Sequence, residues 1–477
     1  MKLNLLYSIF TVILNMIIPI IIFPYASRML GAEGLGTYNF YASAQSYLLL
    51  LTSFGVGIYG VKQVGAIKDD KLELKKCFNQ LISINLFLVV ISYVIVFLLM
   101  LWANFINDIY IILVFLLTLL TNALGADWVF VGLEKQKYLL IRNLCVKIFT
   151  LIAILCFVKK ETDLLLFVTI MVSSIAILSL SNMFCLRQYY NFRLISIRGA
   201  MVHLRRMYNV FFMEILIRYL GLGDVIILGF FVTRSDIGIY SMALKIFLII
   251  TSLLKITATT LLPRASYYVE HCDRQSFIEM HVKTINFLII VSFFCSFIMF
   301  FYAEDIIMIV GGEQFIESVG LLKGFALVVF IAILNNTLCF QILYPLNRTR
   351  SVLLVNLFAV FVNVCMNVIL IPRIGYLAVL VSFAVSLIIT LVLILSLERK
   401  EIKPILLKVN IKKCFYSMII LYIVYIAIYN MNYEIPVLLE VCVLSIIYGG
   451  ILLIFKEDIT TAIFKLIKNN ISNYNKV

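Results

Sequence analysis

The sequence predicts an all-α, polytopic membrane protein of about fourteen transmembrane helices. Three observations lead there: too little charge for a soluble surface, apolar stretches of spanning length, and a one-sided distribution of lysine and arginine between them. Of 477 residues, 63% are hydrophobic and 13% are charged. A soluble domain carries roughly 25% charged residues. With a mean hydropathy of +1.08, the chain cannot present a wet surface on all sides, and a bilayer is the solvent that fits.

A span needs about 20 apolar residues. Such stretches fall at Leu3–Met29, Gly36–Val61, Cys77–Leu101, Tyr110–Leu133, Tyr138–Val158, Leu164–Leu186 and Met207–Val232. They continue at Ile237–Leu262, Val282–Tyr302, Val319–Pro345, Val352–Pro372, Tyr376–Leu397, Cys414–Asn430 and Pro436–Phe455. The first is too long for the h-region of a secretory signal and lacks a small-residue cleavage site, so it reads as a span.

The connectors test the count. With the N-terminus inside, the inner connectors and tail hold about 27 lysines and arginines, the outer ones five: Arg28, Lys159, Lys160, Arg234 and Arg373. A missed or extra helix would mix the two sets. The bias therefore predicts fourteen spans with both termini cytoplasmic; the Lys159–Lys160 pair fits it least well. The net charge of +14 would suggest nucleic acid in a soluble protein; here it is topological. No connector is long enough for a soluble domain.

Ten cysteines are scattered, mostly in apolar runs, and His203, His271 and His281 do not cluster. Neither set reads as a metal site, and no cofactor is expected.

An internal repeat is legible. Gly36-Thr37-Tyr38 opens the second stretch and Gly238-Ile239-Tyr240 the eighth. Asn122 precedes Asp127 by five residues in the fourth, and Asn336 precedes Gln341 by five in the tenth. A shift of six helices preserves orientation, so the repeat is parallel. It divides the chain into six-helix bundles at 1–206 and 207–400, with two further helices and a tail at 401–477.

Four motifs carry a family resemblance. The first is Pro24-Tyr25-Ala26-Ser27-Arg28-Met29-Leu30-Gly31 with Gly34, Gly36 and Tyr38. The second is Tyr59-Gly60-Val61, and the third Trp128-Val129-Phe130-Val131-Gly132-Leu133-Glu134. The fourth is Gly223-Asp224 with Gly229, Gly238, Tyr240, Lys245 and Pro263. In this order they resemble the polysaccharide-repeat-unit flippases of the multidrug/oligosaccharidyl-lipid/polysaccharide exporter superfamily, over about the first 400 residues. The resemblance implies two bundles in a V around a cavity that opens to either side alternately. It implies an undecaprenyl-diphosphate-linked oligosaccharide as cargo, carried to the outer leaflet of a bacterial cytoplasmic membrane, with polysaccharide polymerase and glycosyltransferases as partners. The family shares no invariant catalytic motif, and no bond is made or broken.

A diphosphate with its sugars crosses an apolar slab only if a hydrated cavity replaces its water. Charge inside a span costs about 2.5–3.5 kcal/mol per residue on insertion scales, and so points to function. The candidate cargo-binding cations are Arg28, Arg142, Lys147, Arg218, Lys245 and Lys255. Asp127, Glu214 and Asp224 are candidates for ion pairing or for carrying a coupling proton. Each has a plainer reading. Glu214 and Arg218 stand four apart and could neutralise each other, Asp127 and Arg142 could pair across a hairpin, and Lys255 could snorkel. Tyr38, Tyr41 and Tyr47 could stack on sugars or simply pack.

Competing functions are a multidrug exporter or peptidoglycan-precursor exporter of the same fold, and a membrane polymerase or glycosyltransferase. Bases outnumber acids within the spans, which disfavours cationic drugs. The outer loop richest in acids, with Glu304, Asp305, Glu313 and Glu317, is short and contains no histidine, which disfavours the enzyme.

Overall fold

In the computed structural model, residues 2–103, 108–187, 197–410, 412–430 and 436–454 are described. Every regular element among them is helical. In order they are α1 (Lys2–Ser53), α2 (Val56–Ala66), α3 (Lys71–Ala103), α4 (Ile109–Gly125), α5 (Asp127–Gly132) and α6 (Gln136–Phe157). Next come α7 (Leu164–Arg187), α8 (Ile197–Leu228), α9 (Arg234–Glu270), α10 (Arg274–Phe301), α11 (Ala303–Val310) and α12 (Ser318–Asn336), the last continued by a π-helical segment, Thr337–Leu343. The series ends with α13 (Thr349–Ile374), α14 (Leu377–Leu397), α15 (Arg399–Leu406), α16 (Lys412–Asn430) and α17 (Val437–Ile454).

Ten helices among the described residues are long and apolar enough to cross a membrane, and Cys414–Ile428 and Leu439–Ile454 are shorter apolar helices. Many of their large side chains face outward. Phe97, Leu98, Phe361, Val392 and Ile423 are 57–63% exposed. Apolar exposure on this scale is stable only against lipid. The chain is a multi-pass membrane protein.

The helices differ from the expected spans where the backbone breaks. The two spans expected at Leu3–Met29 and Gly36–Val61 are joined in α1, interrupted at Gly31 (φ 68°). A side chain there would be strained by the left-handed backbone and would meet Gln314 Oε1 at 2.6 Å. The second expected span ends early, because Phe54 and Gly55 both have positive φ (42° and 79°) and separate α1 from α2. The fourth, Tyr110–Leu133, is cut at Ala126 (φ 44°) into α4 and α5. Hydropathy cannot see such breaks, since a left-handed residue changes direction without changing polarity. Pro19, Pro24, Pro263 and Pro372 lie inside helices, which membrane helices tolerate when neighbours satisfy the freed carbonyls.

The chain forms two compact units. The first comprises Met1–Met242, Ile309–Phe315 and Asn367–Ala378. The second comprises Ala243–Met308, Ile316–Met366 and Val379–Val477. In the first, Leu81, Ile82, Ile84, Val129 and Phe130 are buried in one cluster, and Ile22, Ala26 and Leu30 of α1 meet Ile154 and Phe167 in another. In the second, Ile285 and Ile289 of α10 pack with Leu338, Ile342, Ile394, Leu421 and Leu444. Small residues let backbones approach: α1 and α9 meet at Gly36 and Gly238, and α2 and α5 where Gly60 abuts the Trp128 ring.

Candidate functional site

Asp127 follows the break at Ala126 and so opens α5 rather than lying mid-helix. Arg142 of α6 reaches it with two parallel contacts, Nη1 to Oδ1 at 3.0 Å and Nη2 to Oδ2 at 3.3 Å. The geometry is bidentate, which favours arginine over lysine. Asn182 of α7 completes the group. It accepts from Arg142 Nη1 and donates to Asp127 Oδ1, and its amide also donates to Gly125 O at 2.6 Å. Arg142 Nη1 lies 3.2 Å from Leu178 O. The pair is lopsided: Arg142 is 5% exposed at its side chain and Asp127 63%. The expected hairpin pair therefore forms, but as a three-helix lock that also satisfies a carbonyl at the break.

Asp224 near the end of α8 is fully buried. Asn367 Nδ2 donates to its Oδ1 at 2.8 Å. Tyr219, hydrogen-bonded with Asn367, and Tyr240 are within electrostatic reach of the carboxyl. Gly223 makes room here, because a Cβ on it would come within 2.9 Å of Tyr47 Oη. The acid is thus kept among hydroxyls and an amide at 0% exposure, where protein groups rather than bulk water must meet its oxygens.

The remaining candidates are dispersed. Lys245 and Lys255 are both partly buried on α9. Lys147 Nζ donates to Asn15 Oδ1 of α1. Arg28 is exposed, and its Nη2 donates to Ile309 O at 2.5 Å while Ser27 Oγ donates to Val310 O at 2.8 Å. Those carbonyls end α11, where a helix presents unpaired acceptors and a negative partial charge, so a cation there has a local explanation. Glu214 is partly buried on α8. The Arg218 backbone is helical, but its side chain lies outside the described residues. Tyr38 packs edge-on against Phe167 at 5.0 Å. Tyr41 donates to Asp108 Oδ2 at 2.6 Å, beside Arg234, whose guanidinium lies over the Phe40 ring at 3.9 Å.

Asn182 and Asn367 escaped the sequence reading because an uncharged amide barely alters hydropathy. A signal was present: each is a primary amide deep in an apolar run, and such groups need partners.

Helices broken in mid-course, with ionisable groups held inside them, define by class a membrane transporter. The chain belongs to the polysaccharide biosynthesis protein family, which it matches over residues 2–269. It is 22% identical over 340 residues to a protein named as an O-antigen transporter in Escherichia coli (strain K12), covering 71% of this chain and 82% of that one. It is 25% identical over 164 residues to a protein of the same name in Shigella dysenteriae, covering 34% and 41%. Among solved structures it resembles the Lipid II flippase MurJ in an inward closed conformation, with a TM-score of 0.74, 14% identity, and 96% and 100% of the two chains covered. It also resembles an inward-facing multidrug resistance MATE family transporter of the MOP superfamily, with a TM-score of 0.63, 12% identity, and 80% and 93% covered. At those identities the two structures speak for the fold alone. The family resemblance carried by the four motifs holds, and the relatives are transporters rather than catalysts.

Proposed function

We propose that the protein is a flippase. It carries an undecaprenyl-diphosphate-linked oligosaccharide repeat unit from the inner to the outer leaflet of a bacterial cytoplasmic membrane, for surface polysaccharide synthesis. The observation that carries this reading is the presence of Lys245 and Lys255 partly buried on one apolar spanning helix, α9. Two cations at different depths suit an anionic headgroup passed stepwise. Arg28, Lys147 and Arg218 extend the series in this reading, Arg142 being committed to its lock with Asp127 and Asn182, and Asp224 is the acid that couples transport to a proton or pairs with a cation. In this reading the two bundles are 1–206 and 207–400, residues 401–477 are additional, fourteen spans place both termini in the cytoplasm, and polymerase and glycosyltransferases act on either side of the step.

The chain reconstituted in vesicles, given polyprenyl-diphosphate-linked oligosaccharide, should expose the sugars to an outside lectin. Lys245→Gln and Arg218→Gln should insert normally and lose at least about tenfold in rate, since each removes a charge–charge contact with the diphosphate. Full activity in both variants would refute the assignment. A second reading, a peptidoglycan precursor as cargo, is open to the same fold, which a Lipid II flippase shares. Transport of Lipid II, without transport of the oligosaccharide lipid, would select it.

A further inference from the structure

The two helix breaks in the first unit meet at one cavity. The α1–α2 break at Phe54–Gly55 and the α4–α5 break at Ala126 border a space of about 260 Å³ lined by Ser53, Asn85, Asn122, Asp127, Trp128 and Ser179, among others. Broken helices in a membrane are kept where irregular backbone faces a polar cavity, and such breaks commonly mark substrate sites.

Two lining side chains carry buried polar atoms without a hydrogen-bond partner. Asn85 is 4% exposed and its Oδ1 is unpaired; Trp128 is 7% exposed and its Nε1 is unpaired. One is an acceptor and the other a donor. Natural interiors rarely leave such groups unmet, and each such group calls for an explanation. Around them stand a further amide, Asn122, and the hydroxyls of Ser53 and Ser179. The cavity's acid, Asp127, is already matched by the bidentate Arg142, so the polar part of the lining carries no net charge, beside an apolar part made by Val56, Ile175 and Leu178.

That combination selects its ligand. A cation would meet Arg142 behind the carboxylate, an anion would meet Asp127, and an alkyl chain would leave the amides, hydroxyls and indole N–H unmet. A neutral polyhydroxylated ring both donates and accepts, and it fits the volume. We infer that this cavity is a subsite for one sugar ring of the cargo, holding it through Asn85, Asn122 and the Trp128 indole N–H. The inference rests on the flippase reading and adds to it the part of the chain that recognises carbohydrate rather than diphosphate.

The sequence contains two tryptophans, so Trp102→Phe leaves Trp128 as the sole reporter in the full-length chain. Two probes are titrated in detergent: lipid-linked oligosaccharide extracted from the source cells, and bare polyprenyl diphosphate. The glycosylated probe should shift Trp128 emission and bind about tenfold more tightly, as expected where a buried site hydrogen-bonds a hydroxyl. Asn85→Ser with Asn122→Ala should bring its affinity down to that of the bare lipid. Should that variant fail to fold, the emission shift in the Trp102→Phe chain decides alone, present with the sugar and absent without it. Equal binding of both probes, a preference that survives the double substitution, or an emission insensitive to sugar would overturn the subsite and leave a water-filled cavity. Binding of neither probe would overturn the flippase reading first.

Discussion

Gly36 and Gly238 make reciprocal contacts. A Cβ on Gly36 would lie 1.7 Å from Arg234 O, and a Cβ on Gly238 would lie 1.9 Å from Ala32 O. Arg234 stands four residues before Gly238, and Ala32 four before Gly36. Each glycine thus sits on the carbonyl one turn ahead of the other. These are the glycines of the Gly-x-Tyr repeat, so two equivalent motifs pack against each other about a local two-fold relationship. Contacts of this kind let helices associate in lipid, where no hydrophobic force drives them together.

Gly36→Leu and Gly238→Leu should each therefore destabilise the chain, by about 1–3 kcal/mol or more, because backbone rather than a flexible side chain must yield. Thermal unfolding in detergent reads this out. The two should be non-additive: once one glycine is filled, the helices are already apart and the second costs little. Full additivity would mean that the two contacts are independent.

The lopsided exposure of Asp127 and Arg142 predicts unequal single substitutions. Asp127→Leu strands a buried guanidinium and should cost about 3–5 kcal/mol. Arg142→Leu leaves an acid that water can reach, and the main loss is the bond to Asn182, about 1–3 kcal/mol. Denaturation of both variants should rank them in that order; the reverse order would mean that Asp127 is shielded.

At Asp224 charge and hydrogen bonding can be separated. Asp224→Asn keeps an oxygen to accept from Asn367, so abundance and melting temperature should barely change while transport falls if the carboxyl carries the coupling proton. Asp224→Leu removes the acceptor as well and should cost about 1–3 kcal/mol of stability. Unimpaired transport in the asparagine variant would remove Asp224 from the coupling role.

His203 precedes the seventh expected span. Its Nδ1 lies 2.8 Å from Tyr59 Oη and its Nε2 3.1 Å from Gln80 Oε1. These contacts suit a neutral ring that accepts from the tyrosine and donates to the amide. Burial, and secondarily the Arg206 charge, hold its pKa below the usual histidine value. The unfolded chain therefore binds the proton more readily than the folded one. The contribution of neutral His203 is complete above about pH 6.5, the unfolded value, and declines as pH falls below it. His203→Gln should flatten the stability profile below pH 6.5 and leave the neutral region little changed, measured as melting temperature against pH.

Much of the fold was legible in the sequence. Leu3–Met29, Tyr138–Val158 and Leu164–Leu186 correspond to helices because a spanning segment must bond its own backbone and show lipid an apolar face. The Asp127–Arg142 pair was legible too, since two opposite charges within adjacent spans have few other partners. The seats of Asn182, Asn367 and Asn85 were not. An amide's partners come from helices distant in sequence, and only packing decides which.

Composition and the placement of lysines and arginines by themselves determined that this chain lives in a bilayer as a series of helices. Water rejects such a surface, and most of the charge falls in the connectors. The sequence also contained both Gly-x-Tyr motifs. Tertiary structure alone decided that they face each other, that α1 and α4 break beside one cavity, and that Asp127 opens a helix. Left-handed residues such as Phe54 and Ala126 take that conformation from the packing around them, and hydropathy carries no record of it.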